Sequence, residues 1–142
     1  MLGRKDYTKK ELEDGKARIS AQLKSHRALA KSVSTAGDDG AEKALARFDR
    51  FFFNNLLLSL DRLYVHRLRV STGKDGNPLN EVELIVESLL NNDGVFRTNK
   101  VIKYDPEQSV VGLRAGDRIE LDEKQFDRLS KAFFDDLERK FS

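Results

Sequence analysis

Apolar positions recur along this chain in threes and fours up to about residue 91, and the period changes after it. The first run is Leu12, Ile19, Leu23, His26, Ala30 and Val33, a heptad-like seam broken at Lys16. Thr8-Lys9-Lys10-Glu11 before it is a capping box, in which hydroxyl and carboxylate each serve an orphan backbone N–H. The spacing predicts a helix up to about residue 34, with residues 1–7 as a flexible N-terminal tail. Gly15 lies beside the seam, where a missing side chain admits a close neighbour at roughly 1 kcal/mol of helix propensity relative to Ala. Residues 36–40, AGDDG, turn the chain.

Residues 47–69, RFDRFFFNNLLLSLDRLYVHRLR, are apolar on too many sides for a surface helix. They read as the central, best-buried helix of a bundle. Asp39 with Glu42 repeats the capping signature, so the second helix is expected over 41–71, on the order of 45 Å at ~1.5 Å per residue. Asn77 caps a third helix, over 78–91, and Pro78 suits its first position. Its buried stripe is Leu79, Val82, Val86 and Leu89, and Gly94 serves as the left-handed terminator. Beyond it, residues 101–104 are short and β-branched, 105–108 read as a capped turn, 115–117 as a turn, and 118–121 alternate polar and apolar. A small two-stranded antiparallel ribbon follows, lying against the helices because a lone ribbon is marginal in water. Asp122 with Gln125 caps a last helix over 123–141, with Phe126, Leu129, Phe133, Leu137 and Phe141 as its buried face. The expected fold is mainly α: a single-domain helical bundle of about four helices, with the ribbon before the last.

Composition narrows the function. The 142 residues suffice for one domain with its own core, and 35% of them are charged. No apolar run approaches the ~20 residues of a membrane span, and the N-terminus has no apolar signal core, so the cytoplasm is the expected address. With no cysteine there are no disulfides or thiolate metal sites. Net charge is +2, too near neutral to demand a polyanion. Residues 1–36 hold nine bases against four acids, whereas 77–142 are net acidic. A basic first helix against an acidic last one, in one chain or across a dimer, accounts for this. A nucleic-acid surface on the first helix is the alternative, disfavoured because no reading element is visible.

Catalytic and cofactor signatures are missing. There is no GxGxxG, and Gly73-Lys74 is followed by Asp75 rather than the Ser or Thr of a phosphate loop. Asp75-Gly76-Asn77 and Asn92-Asp93-Gly94 lack the ligand spacing of a calcium loop. The residues three before His26 and His66 are leucines, so no di-iron motif exists. Ser59 and His66 stand two helical turns apart, ~10 Å, beyond hydrogen-bond reach. No cofactor, metal or catalytic residue is assigned.

One polar row remains: Asn55, Ser59, Arg62 and His66, at i, i+4, i+7 and i+11, bordered by Phe48, Phe52 and Val70. Either these groups satisfy one another and fix the helix register, or they line a pocket between helices one and two. In the second reading Arg62 binds an anion or carboxylate that His66 and Asn55 orient. The first reading needs a carboxylate for Arg62 from Glu83, Glu87, Asp127 or Asp135. His26, on the first helix's seam, is a satisfied core residue or a further member of the pocket.

The stretches FFNN at 52–55, DRLYVHRLR at 61–69 and TGKDGNPLNEV at 72–82, with the tail 122–141, resemble small actinobacterial cytosolic proteins that have no assigned activity. The resemblance implies a cytosolic bacterial protein and no particular chemistry. The reading that results is a non-enzymatic binding or protein-interaction module. A homodimer is expected, because the second helix carries more apolar surface than one chain covers. A small-ligand pocket or enzyme site is the alternative.

Overall fold

Among the described residues four helices form, each begun by a local cap. The structure, a computed structural model, describes residues 7–64 and 73–141, the last of these by its backbone alone. Helix α1 is Lys9–Ala36, α2 is Asp39–Leu63, α3 is Pro78–Asn91 and α4 is Glu123–Phe141. The Thr8–Glu11 box forms with both bonds at 3.1 Å, and Gly37 ends α1 in the left-handed region at φ 66°. Asp38, one residue earlier than expected, caps α2 through the N–H groups of Gly40 and Ala41. Asn77 caps α3, with Pro78 in its first turn, and Asp122 and Gln125 bond reciprocally ahead of α4.

Helix α2 ends at Leu63, not near residue 71. Tertiary contacts at Tyr64 explain the early stop. Its backbone leaves helical geometry, at φ −132° and ψ −63°. Its ring is buried, and its hydroxyl donates to the Glu11 carbonyl at 3.0 Å. Its own carbonyl accepts from the Tyr7 hydroxyl at 2.8 Å. The ring fits because Gly15 faces it: a Cβ there would stand 1.5 Å from the Tyr64 oxygen. Tyr7 itself is buried against Tyr64, ring edge to face at 5.0 Å, so the anchored chain begins one residue inside the expected tail. His66 and Val70 lie outside the described residues.

The deepest helix is α3, a correction to the expectation for α2. Leu79, Asn80, Glu81, Val82, Leu84, Ile85, Val86 and Ser88 are all buried. By contrast, the first half of α2 leaves Phe48 and Phe51 exposed, at 49% and 66%. The reason is the segment 95–121, which lies over α3 and is not the expected ribbon. Among the described residues the only bridge is one antiparallel pair, Val95 with Arg118. Residues 101–104 turn elsewhere: the Lys103 N–H donates to the Lys74 carbonyl at 2.8 Å. Gly76 permits this approach, since at φ 84° a Cβ would lie 2.3 Å from the Lys103 oxygen. Helix side chains take over what a sheet would have done. Asn54 accepts from the Leu121 N–H and donates to the Ile119 carbonyl. Glu81 accepts from Val110 and Val111, at 2.8 and 2.9 Å, and the Ser88 hydroxyl accepts from Arg97. A β-branched run needs no second strand when buried polar side chains satisfy its backbone.

Helices α1 and α4 meet through their opposite charges. Lys16 pairs with Glu138 at 3.5 Å and lies over the Phe134 ring, and Arg27 pairs with Glu123. Among the described residues no helix is long and apolar enough to cross a membrane.

Candidate functional site

The described members of the polar row face away from the core. Phe53, Leu57 and Leu60 mark the buried side of α2, so the 3.6-residue period turns Asn55, Ser59 and Arg62 outward, and all three are exposed. They do not form a closed network. Ser59 Oγ donates to the Asn55 carbonyl of its own helix at 3.3 Å. Among the described residues Arg62 makes no ion pair: of the acids expected to neutralise it, Glu83 and Glu87 line the same hollow without bonding to it, and neither Asp127 nor the exposed Asp135 reaches it. Glu87 accepts from Arg97 at 3.2 Å and from Asn91 at 2.9 Å, and Asp127 pairs with Lys131 at 3.1 Å. Asp61 and Glu83 have interactions of their own.

Arg62 instead stands where two hollows meet. The larger, about 1030 Å³, lies between α2, α3 and the segment 97–102. Leu58, Leu84, Val86 and Ile102 supply its apolar lining, Arg62, Lys74, Arg97 and Lys100 its cations, and Asp61, Glu83 and Glu87 its carboxylates. Arg97 is held by Glu87, whereas among the described residues Lys74 and Lys100 make no side-chain ion pair. The smaller hollow, about 460 Å³, lies between α1 and α2 and is lined by Arg18, Ile19, Gln22, Ser59 and Leu63. Leu58 and Arg62 belong to both. The pocket expected between the first two helices is therefore the lesser one.

Loops position the cations of the larger hollow. Asn99 accepts from the N–H groups of Val101 and Ile102, which turns the chain so that Lys100 is exposed beside the buried Ile102. Lys74 is held by its carbonyl bond to Lys103 and by the neighbouring Asp75–Asn77 pair at 2.7 Å. That amide hydrogen bond lowers the Asp75 carboxyl below its ordinary value and keeps it ionised. Helical periodicity cannot find Lys74, Arg97 and Lys100, because they belong to no helix.

His26 is not part of this arrangement. Its Nε2 lies 2.6 Å from Asp49 Oδ1, and its ring stacks on Phe52 at 5.1 Å and meets Phe53 edge-on at 4.8 Å. Its Nδ1 is buried without a hydrogen-bond partner. The pair fastens α1 to α2 well above Ser59 and Arg62. Among the described residues no three His, Asp or Glu side chains converge as a metal would require.

Compared with protein-family models, curated proteins and solved structures, the chain matches none.

Proposed function

We propose that this protein binds a small molecule carrying a carboxylate or phosphate on an apolar body, in the larger cleft, without transforming it. The observation that carries this reading is the Arg62 guanidinium, which has no carboxylate partner among the described residues and opens onto an apolar-floored hollow. A planar, permanently charged fork suits a bidentate oxyanion, and an exposed guanidinium retains donors for it. Lys74 and Lys100 supply further positive charge at the rim, and Leu58, Leu84 and Ile102 receive the ligand's apolar part. Ser59 Oγ is hydrogen-bonded to its own helix, which favours binding over nucleophilic chemistry. Of the expected site residues, Ser59 lines only the smaller hollow and Asn55 lines neither.

The test is calorimetric titration with a panel of medium-chain carboxylates and organic phosphates. The tightest binder should lose roughly ten- to a hundredfold in affinity when Arg62 becomes Met, as expected for one lost hydrogen-bonded charge contact. The variant should unfold within about 0.5 kcal/mol of the parent, because an exposed, unpaired side chain contributes little to stability. Binding that survives Arg62→Met unchanged would remove Arg62 from the site and this reading with it.

A further inference from the structure

A second surface lies on the first half of α2, where residues 43–51 line neither hollow. Ala44, Phe48, Phe51 and Asn55 recur at i, i+4, i+7 and i+11, and all four are exposed. Phe51 stands at 66% exposure on the side of α2 opposite the core, with Phe48 next to it at 49%. Phe48 is held in place by stacking on Phe52 at 5.4 Å, which itself stacks on His26. Phe48 thus rests on a packed base. Beside this row runs a second one, Lys43, Arg47 and Arg50, also exposed, and among the described residues none of the three makes an ion pair. The one carboxylate within this stretch, Asp49, faces His26.

We infer that this face docks an acidic amphipathic helix of a partner protein, its apolar stripe on Phe48 and Phe51 and its carboxylates along Lys43, Arg47 and Arg50. A linear row of cations parallel to a linear apolar row matches the charged flank of a helix laid alongside. Exposed aromatic residues flanked by arginine also have the composition of an interface centre. Two other occupants fit less well. A second copy in a symmetric antiparallel pairing would set each basic row beside its own image, with no carboxylate on that face to relieve it. A broad anionic lipid surface would also meet Asp38, Asp39 and Glu42 at the end of the helix hairpin, which a narrow helix seated over residues 43–51 need not cover.

The experiment uses a fluorescent peptide of about 18 residues, with Leu at i, i+3, i+4 and i+7 and Glu on its flanks, titrated with the full chain. Two controls share its length: a scrambled order, and Lys in place of Glu. The Glu peptide should bind roughly tenfold or more tightly than either control, and the preference should fall by about that factor in Phe51→Ser and in Arg47→Glu/Arg50→Glu. Both variants change exposed side chains, and an unaltered circular dichroism spectrum confirms that they fold. Equal binding of the three peptides, or none, overturns the proposal. So does a doubled mass in light scattering that Phe51→Ser abolishes, which assigns the face to a second copy. Phosphatidylglycerol vesicles that bind the chain through the same residues overturn it in favour of a lipid surface. Arg62→Met should leave peptide binding unchanged, which separates this surface from the cleft.

Discussion

Gly15 and Tyr64 show how far one atom's absence reaches. The glycine costs α1 some helix propensity, and in return the Tyr64 ring lies against the helix backbone and bonds to Glu11. Replacing Gly15 with Ala restores about 1 kcal/mol of propensity but drives a methyl group into the tyrosine oxygen, and overpacking typically costs 1–3 kcal/mol. The hydroxyl cannot swing away without giving up its buried bond. The expected result is a lower urea midpoint for Gly15→Ala. The loss should shrink markedly when the same change is made on a Tyr64→Leu background, where the obstructing oxygen is gone. An undiminished loss on that background would show that the clash does not govern the effect.

At the scale of elements, the segment 95–121 is organised by polar side chains reaching up from α2 and α3. Glu81 is the most consequential, a buried carboxylate that accepts from two backbone N–H groups. Burial pushes its pKa above the ordinary 4.5, and the two amide bonds push the other way without cancelling the effect. A carboxyl whose folded pKa is raised holds its proton more tightly in the folded than in the unfolded state. Its contribution to stability is therefore greatest below the ordinary value and declines as pH rises above it. Glu81→Gln removes this titration and leaves one of the two amides without an acceptor, at about 1–3 kcal/mol. The stability gap between the parent and Glu81→Gln should be wider near pH 4 than near pH 7, read from urea unfolding at both. A gap that widens with pH would reverse the assigned direction.

Across the whole molecule, burial is distributed unevenly. Buried residues of α1 stop at His26, and those of α2 begin at Phe53, so the far half of the α1–α2 hairpin extends past the core. Helix α3 is covered on both sides. Local opening costs least where few apolar groups are buried, so the hairpin end should open independently of global unfolding. Native-state hydrogen exchange should find the slowest amides in α3, around Leu84 and Ile85, and faster exchange over 28–36 and 40–50. Uniform protection across α1, α2 and α3 would mean that the hairpin end is clamped by something the single chain does not supply. The Phe48–Phe51 face lies on this projecting half, where a partner would order it.

Local rules determined the helices from sequence alone: Thr8 with Glu11, Asn77 with Pro78 and Asp122 with Gln125 each act within a single turn, and each appears as read. The α4 stripe was equally legible, with Phe126, Leu129, Phe133 and Leu137 buried as spaced. The polar row was found by periodicity, but whether it faced core or solvent was not, because orientation depends on which neighbours α2 acquires. The end of α2 was set by Tyr64 meeting Gly15, residues 49 positions apart in the chain. The ribbon gave way to a strapped loop because Asn54, Glu81 and Ser88 supply hydrogen bonds from helices distant in sequence. Lys74 and Lys100 reach one cleft through backbone turns that carry no hydrophobic period. Capping and periodicity act over a few residues and are written in order along the chain, whereas burial, satisfaction of polar groups and convergence of charge depend on distant segments meeting, which only the tertiary structure decides.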